Sequence, residues 1–158
     1  MTSGPSDVEP LRLQRILAPT DFSPGAEQAL RWAMGLAARF GARVTLLHVL
    51  DLRLGALAGL SPEVATMPAT IELAERVRAE VEEQMRELTA RFPDAVVVLR
   101  EGTPRAAILE VAKEIGADLI VMGTHGRTGL AKVLFGSVAE HVVRHSPVPV
   151  LTVRQTDT

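Results

Sequence analysis

Cysteine is absent from this 158-residue chain, which removes disulfide frameworks, thiolate metal centres and cysteine nucleophiles together. Four histidines and the carboxylates are left as candidate metal ligands. A surplus of positive charge is also missing. With 17 Lys and Arg against 19 Asp and Glu, the net charge is −2, and no broad basic surface for nucleic acid is expected. No apolar run reaches the roughly 18 residues that a membrane helix needs. Met1 to Arg12 are polar, contain Pro and Gly, and lack the apolar core of a signal peptide. These absences predict a soluble, cytoplasmic protein that engages neither membrane nor nucleic acid.

What is present fits one globular domain. The chain is 47% hydrophobic and 23% charged, values ordinary for a soluble domain of this length. The expected organisation is a flexible N-terminal tail at 1–12, a single domain at 13–154 and a short C-terminal tail at 155–158.

Within the domain, short apolar runs alternate with helical patterns. Gln14 to Pro19, with Ile16, Leu17 and Ala18 at its centre, reads as a first buried strand. Ser23-Pro24 then supplies a helix cap and a first-turn proline. Ala26, Ala29, Leu30, Ala33, Leu36, Ala37 and Phe40 follow at helical spacing, and Gly41 is placed to end the helix. Val44 to Leu50 is a second strand. The stretch from Asp51 to Ala69, rich in Gly, Ala and Pro, reads as a long loop. A helix from Thr70 to Arg91 carries Ile71, Ala74, Val77, Val81, Met85 and Leu88 on one stripe. Val96 to Leu99 gives a third strand, Thr103-Pro104 repeats the cap-plus-proline start, and Gly116 ends that helix. Leu119 to Met122, a helix from Ser137 to His145, and Val148 to Val153 complete the pattern. Strands alternating with helices predict a doubly wound, mainly parallel five-stranded sheet with helices on both faces. In such sheets ligands settle beyond the carboxyl ends of the strands where strand order reverses, so the ends of the first and fourth strands are the places to look.

The fourth strand runs into Gly123-Thr124-His125-Gly126-Arg127-Thr128-Gly129, and nine residues separate Gly126 from Gly136-Ser137 at the next helix start. Glycines let the backbone approach a ligand, and free amides at a helix start donate to phosphate oxygens. There is no Gly-Lys-Ser/Thr loop, no Gly-x-Gly-x-x-Gly after the first strand and no Gly-x-Ser-x-Gly nucleophile elbow. The segment is therefore a different kind of phosphate cradle or a structural turn.

Through Ile16-Leu17-Ala18-Pro19-Thr20-Asp21-Phe22-Ser23 at one end and Gly123 to Ser137 at the other, the sequence resembles the universal stress protein family. The spacing Gly-x2-Gly-x9-Gly-Ser matches the motif of that family's ATP-binding branch, and Pro-Val-Pro-Val-Leu-Thr-Val looks like its last strand. The resemblance implies an adenine-nucleotide alpha hydrolase-like, Rossmann-like fold with strand order 3-2-1-4-5. It implies phosphate contacts from Gly126, Gly136, Ser137 and Val138, ribose contacts from Met122 and Gly123, and a base and ribose pocket at Pro19, Thr20, Asp21 and Val49. Asp21 has an alternative role in capping the first helix. His125 and Arg127 lie where they can neutralise phosphate. The implied ligand is ATP, with cyclic AMP as the other candidate and with Mg2+ or Mn2+ able to bridge the phosphates. The resemblance also implies a homodimer formed through Val148–Val153.

Catalytic apparatus is thin in the sequence. Asp21 and Asp118 are the carboxylates near the inferred strand ends, and Asp118 begins its strand, placing it at the edge away from the ligand. His141 and His145 form a weak metal-ligand pair whose ordinary reading is the face and end of a helix. No catalytic residue and no protein metal ligand is assigned. The expectation is a nucleotide-dependent stress-response or signalling module, with a slow metal-assisted ATPase or phosphotransferase, or a dimeric interaction protein without nucleotide, as the alternatives.

Overall fold

Parallel strands buried on both faces need continuous rather than alternating apolar character, and the strands of this protein have it. The structure is a computed structural model, and it describes residues 10–52, 61–125 and 135–155. In chain order the elements are β1 (Arg15–Thr20), α1 (Pro24–Phe40), β2 (Arg43–Leu50), α2 (Pro62–Ala65), α3 (Pro68–Arg91), β3 (Val96–Glu101), α4 (Pro104–Glu114), β4 (Leu119–Gly123), α5 (Ser137–His145) and β5 (Val150–Val153). The strands form one sheet in the order β3-β2-β1-β4-β5, and every pairing is parallel. The register sets Thr20 opposite His48 and Ile16 opposite both Val44 and Leu119.

Side chains alternate between two cores. Ile16, Ala18, Val44, Leu46 and Val121 point to the face covered by α1 and α3. Leu17, Leu47, Val49, Ile120 and Met122 point to the face covered by α4 and α5. The helix boundaries follow local chemistry. The Ser23 hydroxyl accepts from the Ala26 amide at 3.2 Å, Pro24 occupies the first turn, and Gly41 closes α1 in the left-handed region at φ 68°. Gly116, at φ 60°, follows the end of α4 in the same way.

Four expectations need correction. The Asp51–Ala69 stretch is not all loop: Ser61 caps the short helix α2, and α3 starts at Pro68 rather than Thr70, while 53–60 lie outside the described residues. The last strand begins at Val150, not Val148. Pro147 and Pro149 have no amide to give, and the Ser146 hydroxyl holds a turn by donating to the Val148 carbonyl and accepting from its amide. The α3 stripe is buried only at Val81, Met85 and Leu88; Ile71 and Val77 are 48% and 39% exposed. A 24-residue helix is about 36 Å long, whereas the six-residue strand β3 spans about 20 Å, so part of the helix outruns the sheet. Phe40, at the end of α1, is likewise exposed.

Replacing Ser23 with Ala leaves the first α1 amides without their side-chain acceptor. A loss of about 1 kcal/mol in unfolding free energy is expected, up to about 2 at this buried cap, measured by urea denaturation.

Candidate functional site

Strand order reverses between β1 and β4. The chain leaves β1 for α1 on one face of the sheet, and it leaves β4 for α5 on the other. Between the carboxyl ends of these strands lies a cavity of about 250 Å³. Leu47, Val49, Met122, Ile108 and Pro104 give it an apolar floor and wall on the α4/α5 face. Pro19, Thr20 and Asp21 line it from β1, Gly123, Thr124 and His125 from β4, and Gly136, Ser137 and Val138 from the start of α5.

The β1 side is a constrained turn. The Phe22 amide donates to the Thr20 hydroxyl and the Ser23 amide to the Asp21 carboxylate, both at 3.0 Å. Phe22 sits at φ 62°, the one left-handed non-glycine residue among those described. For a bulky side chain this is a strained conformation costing about 1–3 kcal/mol. Opposite it on β2, His48 Nδ1 lies 2.8 Å from the Thr20 carbonyl, and the His48 and Phe22 rings pack with centroids 4.4 Å apart. A carbonyl only accepts, so Nδ1 carries the proton.

On the β4 side, Thr124 is 2% exposed with its polar groups engaged. Its amide donates to the Val153 carbonyl at 3.1 Å, its carbonyl accepts from the Gly136 amide at 2.7 Å, and its hydroxyl bonds His125 Nδ1 at 2.9 Å. The start of α5 is thereby tied to the end of β4. Gly136 is the helix cap, with no side chain to satisfy the first amides. Those amides have no acceptor within the helix and stand at the cavity. Thr103, at the start of α4, also makes no side-chain cap bond, and Pro104 reaches the same cavity.

The structure therefore brings together Pro19, Thr20, Asp21, Val49, Met122, Gly123, His125, Gly136, Ser137 and Val138 around one cavity. Gly126 and Arg127 lie outside the described residues. Asp21 holds the helix lead-in as well as lining the cavity. Gly123 has a packing reason of its own: a Cβ there would stand 3.0 Å from the Gly25 backbone. Sequence reasoning missed Thr124, Ile108 and Pro104, and it gave His48 no ligand role. The repeated Thr-Pro helix start after the third strand was the available signal for Pro104, since each strand end in a parallel sheet faces the same edge.

Other candidates separate from this cavity. Asp118 stands at the opposite edge of the sheet, where its carboxylate accepts from the Gln14 and Arg15 amides at 2.8 Å each. His141 and His145 stack with centroids 4.2 Å apart on α5, and His145 Nδ1 is 2.9 Å from the His141 carbonyl. Desolvation, then the charges of His145, Arg105 and Arg144, pull the His141 pKa below the ordinary histidine value. No group of three metal-ligating side chains occurs among the described residues. A larger, open groove of about 650 Å³ runs along α1 past Glu27, Arg31, Trp32 and Leu36. It is the roomier of the two, but all its lining residues except Gln155 belong to α1, whose amides beyond the first turn are consumed within the helix. No helix among the described residues is long and apolar enough to cross a membrane.

Comparison with known proteins agrees with this fold. The profile of the universal stress protein family matches residues 12–154. A universal stress protein of Methanocaldococcus jannaschii is 33% identical over 157 residues, covering 90% of this chain and 95% of that protein. The solved universal stress protein UspA from Lactobacillus plantarum superposes with a TM-score of 0.80 at 30% identity, over 91% of this chain and 99% of that one. A universal stress protein solved in complex with cAMP superposes with a TM-score of 0.62 at 25% identity, over 92% of this chain and the whole of the other.

The contact between Gly123 and Gly25 yields a prediction independent of any ligand. Gly123→Ala pushes a methyl group into backbone and is expected to cost about 1–3 kcal/mol. At Gly25 the nearest atom to an added Cβ is the His125 carbonyl oxygen at 3.4 Å, and Gly25→Ala is expected to cost less than about 1 kcal/mol. Urea melts of the nucleotide-free variants compare the two; equal losses would show that the strand end moves aside.

Proposed function

The chain belongs to the universal stress protein family, and on that premise we propose that it binds ATP between the ends of β1 and β4 and serves as a nucleotide-dependent stress-response or signalling module. The observation that carries this reading is the uncapped start of α5: consecutive amides without acceptors, facing a cavity whose opposite wall is apolar. Phosphate oxygens supply what those amides lack, and an adenine ring fits the surface formed by Val49, Met122 and Ile108. The Asp21 carboxylate, partly exposed at the rim, is suited to accept from ribose hydroxyls. A volume of about 250 Å³ falls just below the usual range of small-molecule pockets, roughly 300–1,000 Å³. Base and ribose are then enclosed, and the phosphates extend outward past Ser137.

In this reading Gly126 and Arg127 complete the cradle from the segment between β4 and α5, and His125 stands beside the phosphates. Magnesium or manganese would be held through the phosphate oxygens and would neutralise part of their charge. The relative solved with cAMP makes cyclic AMP the second adenine nucleotide to test. The module also pairs with itself: β5 is an edge strand with Val150, Leu151 and Thr152 only half-buried, and edges of this kind attract a second chain.

Small molecules released by denaturing freshly purified protein should include ATP by mass spectrometry, and added ATP should raise the melting temperature more than cyclic AMP does. Ser137→Pro sharpens the test. Gly136 is already extended at φ −71° and ψ 161°, and proline is welcome at the first helical position, so the helix keeps its stability while one amide and one hydroxyl disappear. Loss of a charge-assisted bond of about 1.5–3 kcal/mol lowers ATP affinity about ten- to a hundredfold. Unchanged affinity would place the phosphates elsewhere.

Sedimentation at micromolar concentration is expected to show a dimer, and a monomer there would remove β5 as an association edge.

A further inference from the structure

The Thr20–Ser23 turn holds the one left-handed non-glycine residue among those described, and it lines the cavity through Thr20 and Asp21. Two of its amides are satisfied from within: Phe22 donates to the Thr20 hydroxyl and Ser23 to the Asp21 carboxylate. Neither bond prevents Phe22 from leaving the left-handed region, because both partners travel with the turn. The restraint from outside comes from β2. His48 sits directly opposite Thr20 in the parallel register, donates Nδ1–H to its carbonyl at 2.8 Å, and packs its ring on Phe22. One side chain thus grips the turn at its entry and at its strained centre. A strained residue persists only where its surroundings over-determine it, and here the over-determining group also lines the ligand cavity.

We propose that His48 is a positioning residue for nucleotide binding: its bond to the Thr20 carbonyl and its packing on Phe22 hold the β1 turn in the shape that presents Thr20 and Asp21 to the nucleoside. This rests on the nucleotide reading above. The grip is available in either protonation state, since the Nδ1–H neutral tautomer and the imidazolium both carry a proton on Nδ1. It acts on the nucleoside end of the ligand alone, because the phosphate donors sit on α5, which is anchored through Thr124 and not through β2.

That separation supplies the test. His48→Phe keeps a ring against Phe22 and deletes the donor; His48→Asn keeps a donor at a similar reach from the backbone and deletes the ring. Calorimetric titrations with ATP and with inorganic tripolyphosphate are compared. His48→Phe is expected to bind ATP at least tenfold more weakly and tripolyphosphate as the wild type does, while His48→Asn recovers ATP affinity to within about threefold. In the nucleotide-free protein, amide hydrogen exchange at Phe22 and Ser23 should quicken at least tenfold in His48→Phe. Should that variant not fold, His48→Leu takes its place, which deletes the donor with an apolar side chain of similar size, and the same split between ATP and tripolyphosphate is expected. ATP binding unchanged in His48→Phe, or ATP and tripolyphosphate weakened in equal proportion, would overturn the positioning role and leave the nucleotide reading intact. Wild-type protein that binds tripolyphosphate but gains nothing from the nucleoside would overturn both.

Discussion

The approach of β4 to the first turn of α1 governs the geometry of the whole site. Gly123 lies so close to the Gly25 backbone that a single added carbon would stand 3.0 Å from it. Strand order reverses at this point, so β1 and β4 must run side by side while their following segments diverge to opposite faces. Glycine at 123 allows the strand end and the helix start to touch. The cavity is the space left once they do: α1 closes it on one flank, and α5, swinging away, opens it on the other. A bulkier residue at 123 would change the distance between the β1 turn and the α5 amides, the two flanks of the cavity.

Each half of the cavity is then fixed by a different type of restraint. The α5 half depends on Thr124, buried and using its amide, carbonyl and hydroxyl together. Buried polar groups are costly unless satisfied, so this residue can occupy only the position where Val153, Gly136 and His125 all meet it. The β1 half depends on strain held in place, with Phe22 left-handed beneath the His48 ring. The first half presents unsatisfied donors on a regular helix; the second presents side chains on an irregular turn. Donors suited to any anion on one flank and an apolar, shaped surface on the other are the two elements that small-molecule sites combine.

How much of this could be read from the sequence depends on the range of the interactions involved. The strands were visible because burial on both faces makes them continuously apolar, and strand order 3-2-1-4-5 agrees with the sheet observed. Helix starts at Ser23-Pro24 and Thr103-Pro104, and stops at Gly41 and Gly116, were visible because caps act within four residues. The same local chemistry at Ser61-Pro62 was overlooked inside a stretch whose glycines suggested loop. Periodicity showed which face of α3 is apolar but not that Ile71 and Val77 lie past the point where the helix is covered. For the site, the glycine-rich segment marked the flank between β4 and α5, while the β1 flank came from the reversal of strand order and from the family resemblance. Residues whose role is to hold other residues, Thr124 and His48, carry little local signal: apart from His125 beside Thr124, their partners are 12 to 29 positions away in the chain.

Asp21 shows how one hydrogen bond narrows what a residue type leaves open. In sequence it is a lone carboxylate at a strand end, open to capping a helix or to meeting a nucleotide. In the structure its Oδ1 is committed to the Ser23 amide, and that amide belongs to the residue whose own hydroxyl caps α1. A carboxylate engaged in this way keeps one orientation, which spares a ligand the cost of reordering it on binding. The bond that builds the helix lead-in therefore also fixes how Asp21 faces the cavity.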